Sequence, residues 1–123
     1  MAQVLLCAVI EDNRRVLFLE KQLPDGKTRY CLPHVITDER ENPLIKLKEI
    51  VLQQTGIDAN VGGVVINARH NAGSRKRRQW IGVLAFSATA KNYSTKAPCR
   101  WMRLDEAKKQ PLTRECEWLK TTK

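Results

Sequence analysis

The sequence predicts an α+β chain, a mixed β-sheet flanked by helices. Apolar, β-prone runs lie on both sides of one long helical stretch. That stretch carries its own start and stop signals, and further helix follows near the C-terminus. No repeat, low-complexity tract or linker divides the 123 residues, a length that suits one domain, 1–123, with a modest core.

The first two runs, "VLLCAVI" (4–10) and "RRVLFLEK" (14–21), are expected as strands around a tight "EDN" turn, whose short polar residues suit a hairpin. "QLPDGKTR" (22–29) holds Pro and Gly and is expected as a loop. "YCLP" (30–33) is a short strand ending at its proline, and "HVITDERE" (34–41) an irregular, mostly polar connection. The helix starts at Asn42, a good N-cap, with Pro43 at the first helical position, where its missing N–H costs nothing. It stops at Gly56, a natural C′ residue. Leu44, Leu47 and Val51 fall on one apolar stripe, while Ile45 and Leu52, seven apart, lie on a different side. That second apolar side is either a thicker core or a contact surface for a protein partner or a second copy (a homodimer).

"ANVGGVVINARH" (59–70) is strand-like after its glycines, "NAGSRKRR" (71–78) is a basic loop, and "QWIGVLAFSATA" (79–90) is the longest strand candidate. After a loop at 91–98, "CRWMRL" (99–104) is a short strand. "DEAKKQ" (105–110) and "LTRECEWLK" (112–120) are short helices separated by Pro111.

Hydrophobic residues at 42% and charged residues at 28% fit a folded, soluble chain. No apolar run approaches the ~20 residues of a membrane-spanning helix. The opening "MAQVLLCAVIEDNRR" lacks a secretory pattern, so a cytoplasmic or other intracellular location is expected. Cys7, Cys31, Cys99 and Cys116 form no C-x-x-C pair, which gives a zinc knuckle little support, and Cys7 reads as a small buried hydrophobe. Lysine and arginine number 22 against 13 acids, a formal charge of +9. That excess favours an anionic partner, whether a nucleotide, a nucleic acid or an acidic protein surface.

"LPHVITDERENPLIKLKEIVLQQTGI" (32–57) resembles the Nudix box, the loop–helix–loop pattern G-x5-E-x7-R-E-U-x-E-E-x-G-U, where U is a bulky aliphatic residue. Leu32-Pro33 precedes it as in the family, and the spacing runs without a gap to Thr55-Gly56-Ile57. "CRWMRLDEA" (99–107) and "ECEWL" (115–119) are similar to the family's Trp-containing strand and terminal helix. The resemblance implies a Nudix-like α/β/α sandwich, with a helix that presents carboxylates to Mg²⁺ or Mn²⁺ on a pyrophosphate substrate.

The side chains depart from that pattern. Val35 stands at the opening glycine, Glu49 at the arginine, Ile50 at the following glutamate, and Gln53 and Gln54 at the paired glutamates; of the charged positions, Glu41 alone matches. Positions 50, 53 and 54 share one helix face, which now holds an aliphatic group and two neutral amides. Amide oxygens cannot neutralise a divalent ion or act as a general base. The expectation is a Nudix-like domain with impaired catalysis that binds a nucleotide, a nucleoside diphosphate derivative or RNA. An active metal-dependent pyrophosphatase using Glu41 with Asp38 or Glu39 is one alternative, and a non-catalytic assembly module using Ile45 and Leu52 is another. No cofactor is expected unless hydrolysis survives, when Mg²⁺ or Mn²⁺ and Glu41 would be required.

Arg69, Arg75, Lys76, Arg77 and Arg78 form the densest basic group and, with Gln53 and Gln54, are the candidate ligand-binding residues. Trp80 beside them either stacks on a base or packs in the core. His34, in the box-like loop, either meets a ligand or is an ordinary loop histidine, and His70 carries no assignment.

Overall fold

The computed structural model describes residues 2–122. In chain order the elements are β1 (Gln3–Asp12), β2 (Arg15–Gln22), β3 (Thr28–Cys31), β4 (His34–Asp38), α1 (Pro43–Thr55), β5 (Ala59–Asn71), β6 (Trp80–Ala90), β7 (Cys99–Met102), α2 (Leu104–Ala107) and a 3₁₀ helix, Arg114–Thr121. The sheet is mixed: β1 pairs in parallel with β6, while every other ladder is antiparallel.

Residues 4–10 of β1 are all buried, because the strand has core on both faces. Leu5, Cys7 and Val9 join Phe18, Leu32, Ile81, Val83, Trp118 and Leu119 on the side of the 3₁₀ helix. Val4, Leu6, Ala8 and Ile10 join Leu47, Val51, Ile57 and Phe86 on the side of α1. The strand's period of two sorts an unbroken apolar run into two cores.

Several sequence expectations are corrected. "HVITD" is not irregular; it forms β4 and pairs with β1 from Gln3↔Asp38 to Cys7↔His34. With β6 on one edge and β4 on the other, β1 is paired on both edges from Val4 to Cys7. β2 therefore meets β1 only at Glu11↔Val16 and Asp12↔Arg15, then diverges to pair with β3 and β7. The turn is centred one residue later than expected, on Asn13 and Arg14, both left-handed at φ 52° and 65°, as a twisted two-residue hairpin requires. The expected loop at 22–29 gives its last two residues to β3. β5 runs through its glycines with irregular register between Val61 and Ile66. The strand expected at 99–104 ends at Met102, and Leu104 already begins α2. Leu44 leaves the inward stripe and is 43% exposed, while Leu47 and Val51 are fully buried.

The helix ends behave as their sequence indicates. The Asn42 side chain accepts from the N–H groups of Leu44 and Ile45 at 3.0 and 3.3 Å. At the other end Gly56 has φ 82°, and its N–H donates to the Leu52 carbonyl. A Cβ there would lie 2.7 Å from Lys96 Cγ and 3.0 Å from Lys96 N, so glycine is required on two counts. Thr55 is buried, donating from its hydroxyl to the Val51 carbonyl and accepting from the Ile57 N–H.

Candidate ligand cleft

Two adjoining cavities, of about 660 and 640 Å³, share Arg29 and Arg114 in their walls. These arginines come from distant parts of the chain. Tyr30 and Leu112 form an isolated parallel bridge, with the Tyr30 N–H donating to the Pro111 carbonyl and the Thr113 N–H to the Tyr30 carbonyl. The bridge seats the start of the 3₁₀ helix beside β3. Arg29 donates from Nη1 to the Leu112 carbonyl at 3.3 Å, and its Nε is buried without a partner. Arg114 donates from Nη2 to the Asn71 carbonyl at 3.1 Å.

The larger cavity is strongly basic. Arg29, Arg69, Arg75 and Arg114 line it against one carboxylate, Glu117. Trp80 is 50% exposed rather than packed in the core, and the Arg69 guanidinium lies 5.0 Å from its ring centroid. His70, also in this wall, is held below the ordinary histidine range, first by burial and then by the Arg114 charge.

The basic loop between β5 and β6 is organised by Asn71. Its Oδ1 accepts from the N–H groups of Gly73 and Gln79, and its Nδ2 donates to the Ser74 carbonyl. A Cβ on Gly73 would fall 2.1 Å from the Arg77 carbonyl oxygen, so the loop closes only around glycine. This closure leaves Arg75 in the cavity wall, whereas Lys76, Arg77 and Arg78 are exposed and line neither cavity.

The second cavity lies at the end of α1, where Gln54, His34, Cys31 and Glu115 join the two shared arginines. Gln54 makes a two-point contact with backbone: its Nε2 donates to the His34 carbonyl at 2.9 Å and its Oε1 accepts from the His34 N–H at 3.1 Å. Only a group that both donates and accepts can make this pairing; a carboxylate offers acceptors alone. The His34 Nδ1–H donates to the Leu32 carbonyl at 2.8 Å, and Nε2 stands 3.9 Å from Glu115. Gln53 is exposed and lines neither cavity.

The acidic loop is engaged with cations of the chain. Asp38 accepts from the Arg40 backbone N–H and guanidinium at 2.9 to 3.3 Å, which keeps its carboxyl below the usual range. Glu41 lies 3.7 Å from Lys46 and borders a separate hollow of about 230 Å³ with Glu49 and Ile45. Glu39 is exposed. Among the described residues, no three His, Cys, Asp or Glu side chains converge as metal ligands would.

The backbone is close to several solved structures. It superposes on an ADP-ribose pyrophosphatase from Streptococcus suis 89-1591 with a TM-score of 0.69 at 17% identity, covering 98% of this chain and 88% of that one. The chain has the Nudix fold. The MutT protein of Bacillus halodurans gives 0.62 at 18% identity, over 95% and 78% of the two chains. The Nudix domain of Shewanella oneidensis NrtR, in complex with ADP ribose, gives 0.64 at 14% identity, over 98% and 84%. No family model matches the sequence, and no curated protein matches it.

Within the Nudix fold, the implied Mg²⁺ or Mn²⁺ would sit on carboxylates at 50, 53 and 54. The residues present do not fit it. Ile50 has no donor atom, the Gln54 amide is paired with the His34 backbone, and Glu49 shares its hollow with Glu41 but, among the described residues, with no third ligand. No sequence motif marks Arg29, Arg114 or Asn71 as site residues: the Tyr30–Leu112 bridge sets Arg29 beside Arg114, and the β5–β6 ladder sets Asn71 against Arg114.

Proposed function

We propose that this Nudix-like domain binds a nucleoside diphosphate derivative in the arginine-lined cleft and lacks efficient metal-dependent hydrolysis. The observation that supports binding is the convergence of Arg29, Arg69, Arg75 and Arg114 with Trp80 on one cavity of about 660 Å³. Guanidinium forks suit phosphate oxygens, and an exposed indole beside them offers a face to a nucleobase. The Gln54–His34 pairing supports the loss of hydrolysis, since it commits to structure the position where a metal-binding carboxylate is expected.

ADP ribose, bound in the NrtR Nudix domain, is the natural first probe. Calorimetry should give saturable binding without added metal, and incubation with Mg²⁺ or Mn²⁺ should leave the ligand intact. Metal-dependent cleavage that Glu41→Gln abolishes would instead establish the active alternative. Absence of binding across a panel of nucleoside diphosphate derivatives would remove the ligand assignment.

A second reading, RNA binding, draws on Lys76, Arg77 and Arg78, which project from the same loop outside the cavity. It requires an affinity for short RNA that falls steeply with salt and with substitution of those three residues. The assembly alternative draws on the exposure of Ile45 (60%) and Leu52 (49%), and sedimentation of the wild type as a monomer, with no partner bound through that face, would exclude it.

A further inference from the structure

Five cations line the two cavities, Lys21, Arg29, Arg69, Arg75 and Arg114, against two carboxylates, Glu115 and Glu117. Among the described residues, none of the five lies within ion-pair distance of a carboxylate. Arg29 and Arg114 donate to the carbonyls of Leu112 and Asn71, which leaves their charges unneutralised. Two of the cations are also set against each other. β2 and β3 pair antiparallel with Lys21 directly opposite Arg29, and both residues line the second cavity. Like charges directly opposite on a ladder repel, and an anion between them turns the repulsion into attraction.

Building on a nucleoside diphosphate derivative bound in the arginine-lined cleft, we propose that its far end carries a phosphate, and that Lys21 and Arg29 hold this phosphate in the second cavity. A phosphate monoester presents three oxygens, so the Lys21 ammonium and the Arg29 guanidinium can each bond a different one.

The order of side chains along the two cavities places the ligand. Trp80 and Arg69 belong to the first cavity, Arg29 and Arg114 to the shared wall, and Lys21 to the second alone. A base on Trp80 and a diphosphate on the shared arginines direct the far end of the ligand towards Lys21. The charge balance agrees. A diphosphate bridge carries one negative charge on each phosphate, which leaves part of the cationic excess of the walls unneutralised. Glu115, the one carboxylate in the second cavity, stands 3.9 Å from His34 Nε2. As an acceptor it suits a sugar hydroxyl between the bridge and the terminal phosphate.

The test compares ADP ribose with ADP ribose that carries a phosphate on its terminal ribose, by calorimetry on the wild-type protein without added metal. The phosphorylated form is expected to bind about tenfold tighter, and Lys21→Ala to reduce that preference to about twofold or less. Proton NMR locates the added group, because His34 lines the second cavity, His70 lines the first, and the chain has no other histidine. The added phosphate should shift the His34 resonances and leave those of His70 where ADP ribose puts them. The spectra need only wild-type protein, so they decide even if Lys21→Ala fails to fold by circular dichroism. Equal affinity for the two ligands overturns the proposal and leaves binding in the cleft standing. A preference that survives Lys21→Ala, or a shift confined to His70, overturns it as well. Binding of neither ligand overturns it together with the assignment of ADP ribose to the cleft.

Discussion

The end of α1 and the arginine-lined wall adjoin across Arg29 and Arg114, yet their polar groups are used in opposite ways. At the helix end, Gln54 spends both sides of its amide on the His34 backbone. In the cavity wall, Arg29 keeps a buried Nε without a partner, and Arg69 rests on the face of an exposed Trp80. A polar group whose bonding is complete within the chain stabilises the fold; one with donors left over can serve a ligand. Gln54 is of the first kind, and Arg29 in the basic wall is of the second.

The largest effect should come from removing the shared cations. Arg29→Ala with Arg114→Ala is expected to weaken ADP ribose binding about 100-fold, near 3 kcal/mol, by calorimetry. An unchanged affinity would move the ligand away from this wall. Next comes the opposite surface. Gln54→Glu restores the family's carboxylate but removes the only donor in the pairing with the His34 carbonyl, so it should cost about 2 kcal/mol in denaturant unfolding and yield no hydrolysis. A gain of metal-dependent turnover without loss of stability would break the distinction between the two surfaces.

A smaller effect is expected at Trp80. Trp80→Ala should weaken binding roughly tenfold through lost base stacking. Joint substitution of Lys76, Arg77 and Arg78 should change affinity for a mononucleotide derivative by less than about threefold, since exposed charges are screened by salt. The reverse ranking would favour RNA as the ligand.

The smallest effect is a titration. His34 and His70 are the only histidines, so proton NMR resolves them simply. His70 should titrate below 6.5, through burial and the Arg114 charge, and Arg114→Ala should raise it. Against burial, the hydrogen bonds to Cys31 and Leu32 and the nearby Cys31 and Glu115 charges hold His34 above 6.5. For His70 the unfolded chain binds more protons, so its stabilising contribution is complete above about 6.5 and is lost as pH falls through the folded value. For His34 the sign reverses: the contribution is complete below about 6.5 and is lost as pH rises through the folded value.

Much of the architecture was legible in local chemistry. Asn42, Pro43, Thr55 and Gly56 delimit the helix because capping is a matter of a few adjacent atoms. The run 4–10 reads as a strand, and its burial on both faces follows from having no polar alternation. β4 is obscured in the sequence because Val35, Ile36 and Thr37, all β-branched, are embedded in the mostly polar "HVITDERE"; pairing with β1 makes them a strand. Leu44 was misassigned because spacing defines a stripe but not the width of what covers it.

The sequence alone determined the helix, the central strand, the charge excess and the absence of family carboxylates at 50, 53 and 54. These are properties of residues and their near neighbours. Tertiary structure alone decided that Gln54 is tied to His34 and that Arg29 and Arg114 line one cavity. The two arginines are brought together by the Tyr30–Leu112 bridge, which joins segments far apart in the chain. Such a contact depends on where the sheet leaves an edge open, and no spacing within either segment encodes it.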